Sequence, residues 1–324
     1  MLHRESFREP SVIYGIVAVA MASLLLLGFL LWWRSHIIVY RLTLSAGAKD
    51  GMYYPMALEI QEMVRRSYPR IRINVVTSEG SQQNLQRLLD EPKKYDLALV
   101  QNDTQPPVRT DESPRPKNGD AQIRTLTPLH VDVLHIVVRD IGIQNLQDLR
   151  GHAIAVGKPG SGSRPLTEEL FKHYGLTMGK DELHEMSLKK ATLAIQKEEI
   201  DAFLFAVGMQ SDTMFDCMTC EGVHFLPLGK LGEEGSEMDG FLLRYPFAEN
   251  YVIPKMSYGP GIEGSSPVPA IPIPALAVRN HLVSRESLPI YVARAVTETI
   301  HRKRSTQVQE IHTASQITED FDRS

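Results

Sequence analysis

Gly157-Lys158-Pro159-Gly160-Ser161-Gly162-Ser163-Arg164 is the stretch whose reading decides the fold. Before it, Ala153–Val156 is short and apolar and reads as a strand. After it, Leu166, Leu170, Phe171 and Tyr174 share one face of a helix. A glycine-rich bend between strand and helix lets the backbone turn tightly and approach a ligand closely. The free N–H groups and the dipole at the helix start favour an anion. Ser161 and Ser163 add hydroxyls, and Arg164 offers a planar fork suited to carboxylate or phosphate. The spacing from Gly157 to Gly162 imitates a nucleotide P-loop, but Ser163 follows where the phosphate-reaching lysine belongs. A small anion fits better than a nucleotide. A plain turn with Ser163 as helix cap is the competing reading.

Working outward, the same polar-bend pattern recurs at other strand ends. Val39–Ser45 reads as a strand, and Ala46 to Pro55 links it to a helix over Tyr53–Tyr68. Ile71–Thr77 reads as a strand and is followed by Ser78-Glu79-Gly80-Ser81-Gln82-Gln83-Asn84 and a short helix over Ser81–Leu89 that Ser81 would cap. Asp96–Val100 is a buried strand ending in Gln101-Asn102-Asp103. Val131–Val138 and Asp201–Ala206 read as strands, Ile143–Leu149 as a helical turn, and a last helix begins near Ser287. Residues 104–122 are rich in proline and charge and read as a mobile surface loop. Alternating strands and helices predict an α/β class with parallel sheets. In such sheets ligands sit outside the carboxyl ends of the strands, where these bends would converge.

Ser11 to Trp33 carries no charge and is long enough to cross a bilayer. Trp32 and Trp33 end it where an interfacial aromatic belt would lie. Its strongest apolar stretch, Leu24–Leu31, follows the small-residue site Ala18-Val19-Ala20, which favours an uncleaved anchor over a signal peptide. Arg4 and Arg8 on one side nearly balance Arg34 and Arg41 on the other, and the N-terminal amine tips the N-terminus towards the cytoplasm. The 324 residues suggest about two domains. The net charge of -4 offers no basic footprint for nucleic acid.

Two cysteines are too few for a disulfide scaffold. Cys217-Met218-Thr219-Cys220 lacks a second ligand pair for zinc, so a local disulfide is the favoured reading and a redox motif the alternative. His130 and His135 flank a strand and read as structural. No metal-binding histidine pattern, nucleophile elbow or catalytic set appears, and no cofactor is expected. The competing enzyme reading would use Cys217 or Cys220 as nucleophile.

Six stretches follow in a fixed order: Gly51-Met52-Tyr53-Tyr54-Pro55, Thr77 to Asn84, Val100-Gln101-Asn102-Asp103, Ile143 to Gly151, Val156 to Arg164, and Ile200-Asp201-Ala202-Phe203 with Gly208. Taken together they resemble the TAXI family of TRAP-transporter solute-binding proteins. The resemblance implies a two-lobe type II periplasmic-binding fold behind an N-terminal transmembrane helix. Its divisions would be a flank at 1–10, an anchor at 11–33, lobe one at 39–139 plus 229–304, lobe two at 140–228, and a polar tail at 305–324. Crossovers would fall near residues 139 and 228. A small organic anion, a carboxylate or a glutamate-like amino acid, would lie between the lobes. Tyr53, Ser81, Asn84 and Gln101 would contribute from lobe one, and Ser161, Gly162, Ser163, Arg164 and Phe205 from lobe two. Arg164 or the Ser161–Ser163 amides would hold the carboxylate, with Tyr53 or Phe205 as a wall. The implied role is a receptor in a bacterial inner membrane, with its body in the periplasm, serving a TRAP-type permease. A ligand-sensing ectodomain or an ABC-type receptor of the same fold is the alternative.

Overall fold

The computed structural model describes residues 10–49, 51–105, 123–139, 142–179, 181–261 and 266–302. The flank before Pro10, most of the proline-rich stretch and the polar tail lie outside the described residues. Helix α1, Pro10–Ile37, is continuous, and Tyr14–Leu31 within it is uncharged and is long and apolar enough to span a bilayer. Its large side chains, such as Leu24 and Leu25, are exposed.

Among the described residues, one ten-stranded sheet holds the body together. Three short strands, β1 (Tyr40–Ser45), β2 (Ile71–Val76) and β3 (Leu97–Gln101), run parallel at one end. Helices α2 (Tyr53–Ser67) and α3 (Ser81–Asp90) alternate with them. At the other end lie β5 (Ile154–Val156), β6 (Leu183–Glu185) and β7 (Ala202–Val207), again parallel. Helices α4 (Ser163–His173), α5 (Leu188–Gln196) and α6 (Asp212–Met218) accompany this set.

Two long strands join the halves: β4 (Ile123–Val138) and β10 (Ile273–Arg285). They pair antiparallel with each other, and the order is β2-β1-β3-β10-β4-β7-β5-β6. The sheet is therefore mixed, not parallel throughout. The chain passes between the halves along β4 and β10, and β4 ends at Val138, beside the crossover expected near residue 139. At about 3.3 Å per residue, strands of this length cross from one lobe into the other without a turn.

Each lobe has its own core on both sheet faces. In the first, Leu44, Ile60, Val64, Ile71, Leu97, Val292 and Val296 pack under α2 and the C-terminal helix α8 (residues 290–302). Leu85, Leu88, Tyr95 and Val100 pack under α3. In the second, the period-two alternation of β4 sends Leu134, Ile136 and Val138 to one face and Val133 and Val137 to the other. Helix α7 (Glu237–Arg244) and strand β9 (Ala248–Ile253) belong to this second lobe, because Met238, Phe241 and Ala248 pack with Leu134, Leu170 and Leu204. Strand β8 (His224–Phe225) completes the set beside β4.

Candidate functional site

A cavity of about 550 Å³ opens between the lobes. It lies at the carboxyl ends of the short strands, as strand polarity requires. Helices α2, α3, α4 and α5 all begin at its wall, through Met52 and Tyr53, Gly80 and Ser81, Gly162 and Ser163, and Ser187 and Leu188. Lys49, Lys158, Lys189 and Lys190 share the wall with Glu79, Asp132 and Asp212, where the short helix α6 also begins; the helix starts favour an anion on their side of the cavity.

The two glycine-containing bends meet across this gap. The Gln83 amide donates to the Gly160 carbonyl at 3.3 Å. Lys158 Nζ pairs with Glu79 at 3.1 Å. Gly80 sits at φ +136°, and a Cβ there would come 3.0 Å from Ser161 Cα, so only glycine permits this backbone approach. Gly162 lies still closer to its opposite: a Cβ on it would fall 1.7 Å from Gln101 Oε1 and 3.1 Å from Ser81 Oγ.

The floor is a ring of hydrogen bonds on three neighbouring strands. Gln101, at the end of β3, donates through Nε2 to Asp132 of β4 at 3.0 Å. His130 Nε2 faces the other Asp132 oxygen at 3.1 Å, and the Asn280 amide nitrogen also lies 3.1 Å from that ring nitrogen. Protonated, the nitrogen donates to Asp132; bare, it accepts from Asn280. Asn280 accepts from the Tyr53 hydroxyl, which lies 3.0 Å from Ser81 Oγ. Ser81 in turn accepts the Gln101 amide at 3.1 Å. Asn280 sits where the β10–β4 register slips between Arg279 and His281, and such an irregularity re-aims a side chain. Burial and the nearby Asp132 charge push the Tyr53 hydroxyl well above its usual pKa, so it stays a donor.

Of the sequence-derived candidates, Tyr53, Ser81, Gln101, Ser161, Gly162, Ser163 and Phe205 line the cavity. They do so in different ways. Gln101 Oε1 and Ser161 Oγ are buried without a hydrogen-bond partner among the described residues, and so can receive a ligand. Ser163 is committed: its hydroxyl donates to the Ala206 carbonyl at 3.3 Å and accepts the Ala206 amide at 3.1 Å, fixing α4 to β7. Ser81 begins α3 but does not cap it; Gly80 holds that position.

Asn84 and Arg164 do not line the cavity. Asn84 is fully buried and joins three strand ends: it donates to the Ala46 and Leu99 carbonyls and accepts from Ser45 and Ser78, both at 2.6 Å. Arg164 points away, donating to Glu168 at 2.8 Å and to Glu185. Helical spacing puts Glu168 one turn along, and that local partner captures the guanidinium. Arg164→Ala is expected to leave ligand affinity within about threefold and to cost ~0.5–1 kcal/mol of stability, the scale of a half-exposed ion pair. Calorimetry and denaturant melts check both values.

Sequence reasoning missed Asp132 and Asn280, and read His130 as structural. The available signal was the aspartate inside the apolar run Val131–Val138, since a buried charge needs partners.

Asp103 is buried beside the site, with both carboxylate oxygens unpaired among the described residues. Burial, with a smaller push from Asp132, raises its pKa from 3.8 to about 7. The folded state thus binds this proton more tightly than the unfolded chain, so stability falls as pH rises from about 4 to 7. Asp103→Asn is expected to flatten that slope and to raise stability above pH 7 by up to ~4 kcal/mol. Denaturation at pH 5 and pH 8 measures the change.

Cys217 and Cys220 are not joined. Cys217 is packed into the core, while Cys220 lies past the end of α6, with Gln196 donating to its sulfur at 2.9 Å. His135 is a core residue, held between the Val133 carbonyl and the Tyr258 hydroxyl, and burial lowers its pKa to about 4.

Two lobes joined by paired long strands, with a polar cleft at the strand ends, define a type II periplasmic-binding fold with a curled sheet. The chain belongs to the NMT1-like family, whose profile matches residues 44–321. Solved structures resemble it at low identity. The CcmR regulatory domain of Synechocystis PCC6803, in complex with 2-PG, is 13% identical over 81% of this chain and 94% of that one, with a TM-score of 0.45. The BenM effector-binding domain with benzoate is 12% identical over 83% and 94%, at 0.46. The QuiR effector-binding domain with shikimate is 13% identical over 81% and 96%, at 0.47.

Proposed function

We propose that this chain is a solute receptor of the TAXI type, tethered to a bacterial inner membrane by α1 with its body in the periplasm. In this reading it captures a small carboxylate that also bears an ammonium group, a glutamate-like amino acid, and passes it to a TRAP-type permease. One observation carries the ligand class: the starts of α2, α3, α4 and α5 line one cavity whose floor holds a buried carboxylate, Asp132. The helix starts favour the ligand's carboxylate. Asp132 favours its ammonium and would repel a simple dicarboxylate placed on it. Gln101 Oε1 and Ser161 Oγ supply the remaining partners, and Phe205 forms an apolar wall. The order of the motif matches, and the apolar α1, support the transport role and the tether.

The reading is of binding without turnover. Burial pushes the Cys217 thiol up to about 12, which deprives it of thiolate character.

A thermal-shift screen of the full chain in detergent against amino acids and organic acids tests the ligand class. An amino acid at 100 times its dissociation constant should add ~2.7 kcal/mol of stability, and a dicarboxylate of equal length less. A panel in which only ligands without an amine stabilise the chain overturns it. Loss of uptake of that ligand in cells lacking the chain would separate delivery from sensing.

A further inference from the structure

The end of the first lobe opposite the cleft carries a surface that the binding reading does not use. Helix α1 ends at Ile37 and β1 begins at Tyr40, so only Ile38 and Val39 separate them. The Tyr40 amide donates to the Arg70 carbonyl at 2.8 Å, which brings the Tyr68–Arg70 bend beside the exit of α1. The Tyr291 ring lies 6.1 Å from that of Tyr40 and 6.4 Å from that of Tyr68. Next to it, Ile290 is 85% exposed although it opens a helix whose Val292 and Val296 are core residues. A large apolar side chain left out at a helix start gains nothing from water. Arg65, Arg66 and Arg72 line one groove beside Pro69, with Arg70 adjoining. Glu62 binds Arg65 and Arg66, Arg72 adds a third guanidinium along the groove, and Glu298 accepts from the Tyr68 hydroxyl while pairing with Arg294.

Tyrosines with arginines are the composition of a membrane–water interface, where amphipathic rings sit at headgroup level and guanidiniums meet lipid phosphates. We propose that this face lies on the bilayer that α1 enters, with Ile290 and Tyr291 at headgroup depth and the arginines on anionic lipid. The apolar span ends at Trp33, so about one helical turn (~6 Å) and the two-residue linker (~7 Å) hold the Tyr40 edge within ~13 Å of the hydrocarbon, at headgroup range. The six residues of β1 then set the cleft ~20 Å above the membrane, with its mouth at the opposite strand ends. The proposal rests on α1 being an anchor, and goes beyond the ligand reading.

The test uses the full chain with Cys217→Ala and Cys220→Ala, carrying either Ile290→Cys or Leu243→Cys. Both positions are highly exposed, and Leu243, at 88%, is on α7 of the second lobe. Each cysteine is labelled with an environment-sensitive dye. The chain is reconstituted into vesicles of phosphatidylethanolamine and phosphatidylglycerol containing a headgroup-level quencher lipid. The expected result is quenching at position 290 at least fivefold stronger than at 243, with a blue shift at 290 alone. Flotation with the vesicles but equal quenching at the two positions overturns the docked face and leaves the anchor standing. Failure to float overturns both.

Discussion

Replacing Gly162 by alanine is expected to weaken ligand capture by ~100-fold, equivalent to ~2.8 kcal/mol. The backbone is not the obstacle, because Gly162 has φ -80° and ψ -29°, which alanine adopts freely. The obstacle lies across the cleft. The new Cβ would meet Gln101 Oε1 at 1.7 Å and its Cδ at 2.5 Å. Gln101 cannot swing aside without giving up its bond to Asp132 in a buried setting. The lobes must part instead, and a ligand that needs both walls loses one of them. Each lobe keeps its own core, so the melting temperature should move little. Calorimetry reads the affinity, and small-angle scattering reads a larger radius. Adding Gln101→Ala removes the clash and should restore the compact radius without restoring full affinity. Unchanged affinity in Gly162→Ala would remove this cavity as the binding site.

Asp132→Asn is the second large effect. The substitution keeps the shape and an acceptor for Gln101 Nε2 while deleting a buried charge. A ligand whose ammonium rests on Asp132 loses a charge-assisted bond, ~1.5–3 kcal/mol or roughly 10- to 150-fold in affinity. The matching acid without an amine should bind no worse, and better if the carboxylate repelled it. That opposite response separates a direct ionic role from general damage. Equal losses for both ligands would show that Asp132 only braces the floor.

Much of this was legible in one dimension because the signals are local. Ile71–Val76 and Ala202–Val207 announce themselves by apolar or β-branched composition, and Tyr53–Ser67 by spacing. Short helices escaped: α5, α6 and α7 span nine, seven and eight residues, too few turns for a clear period. Residues Ser81, Gln101, Ser161 and Gly162 were nominated by their place at strand ends, and the cavity gathers them. Arg164 shows the limit of that logic, since adjacency to a glycine-rich bend says nothing about which way a long side chain turns.

By itself the sequence determined the apolar N-terminal helix, the α/β alternation and the glycine bends, all of which follow from composition and periodicity within a few turns of chain. Tertiary structure alone decided that β4 and β10 run antiparallel through both lobes, and that Gln101, Asp132 and Asn280 close one ring. Hydrogen-bond register between strands far apart in sequence leaves no local trace, because each strand's own pattern is satisfied by any neighbour with an apolar face.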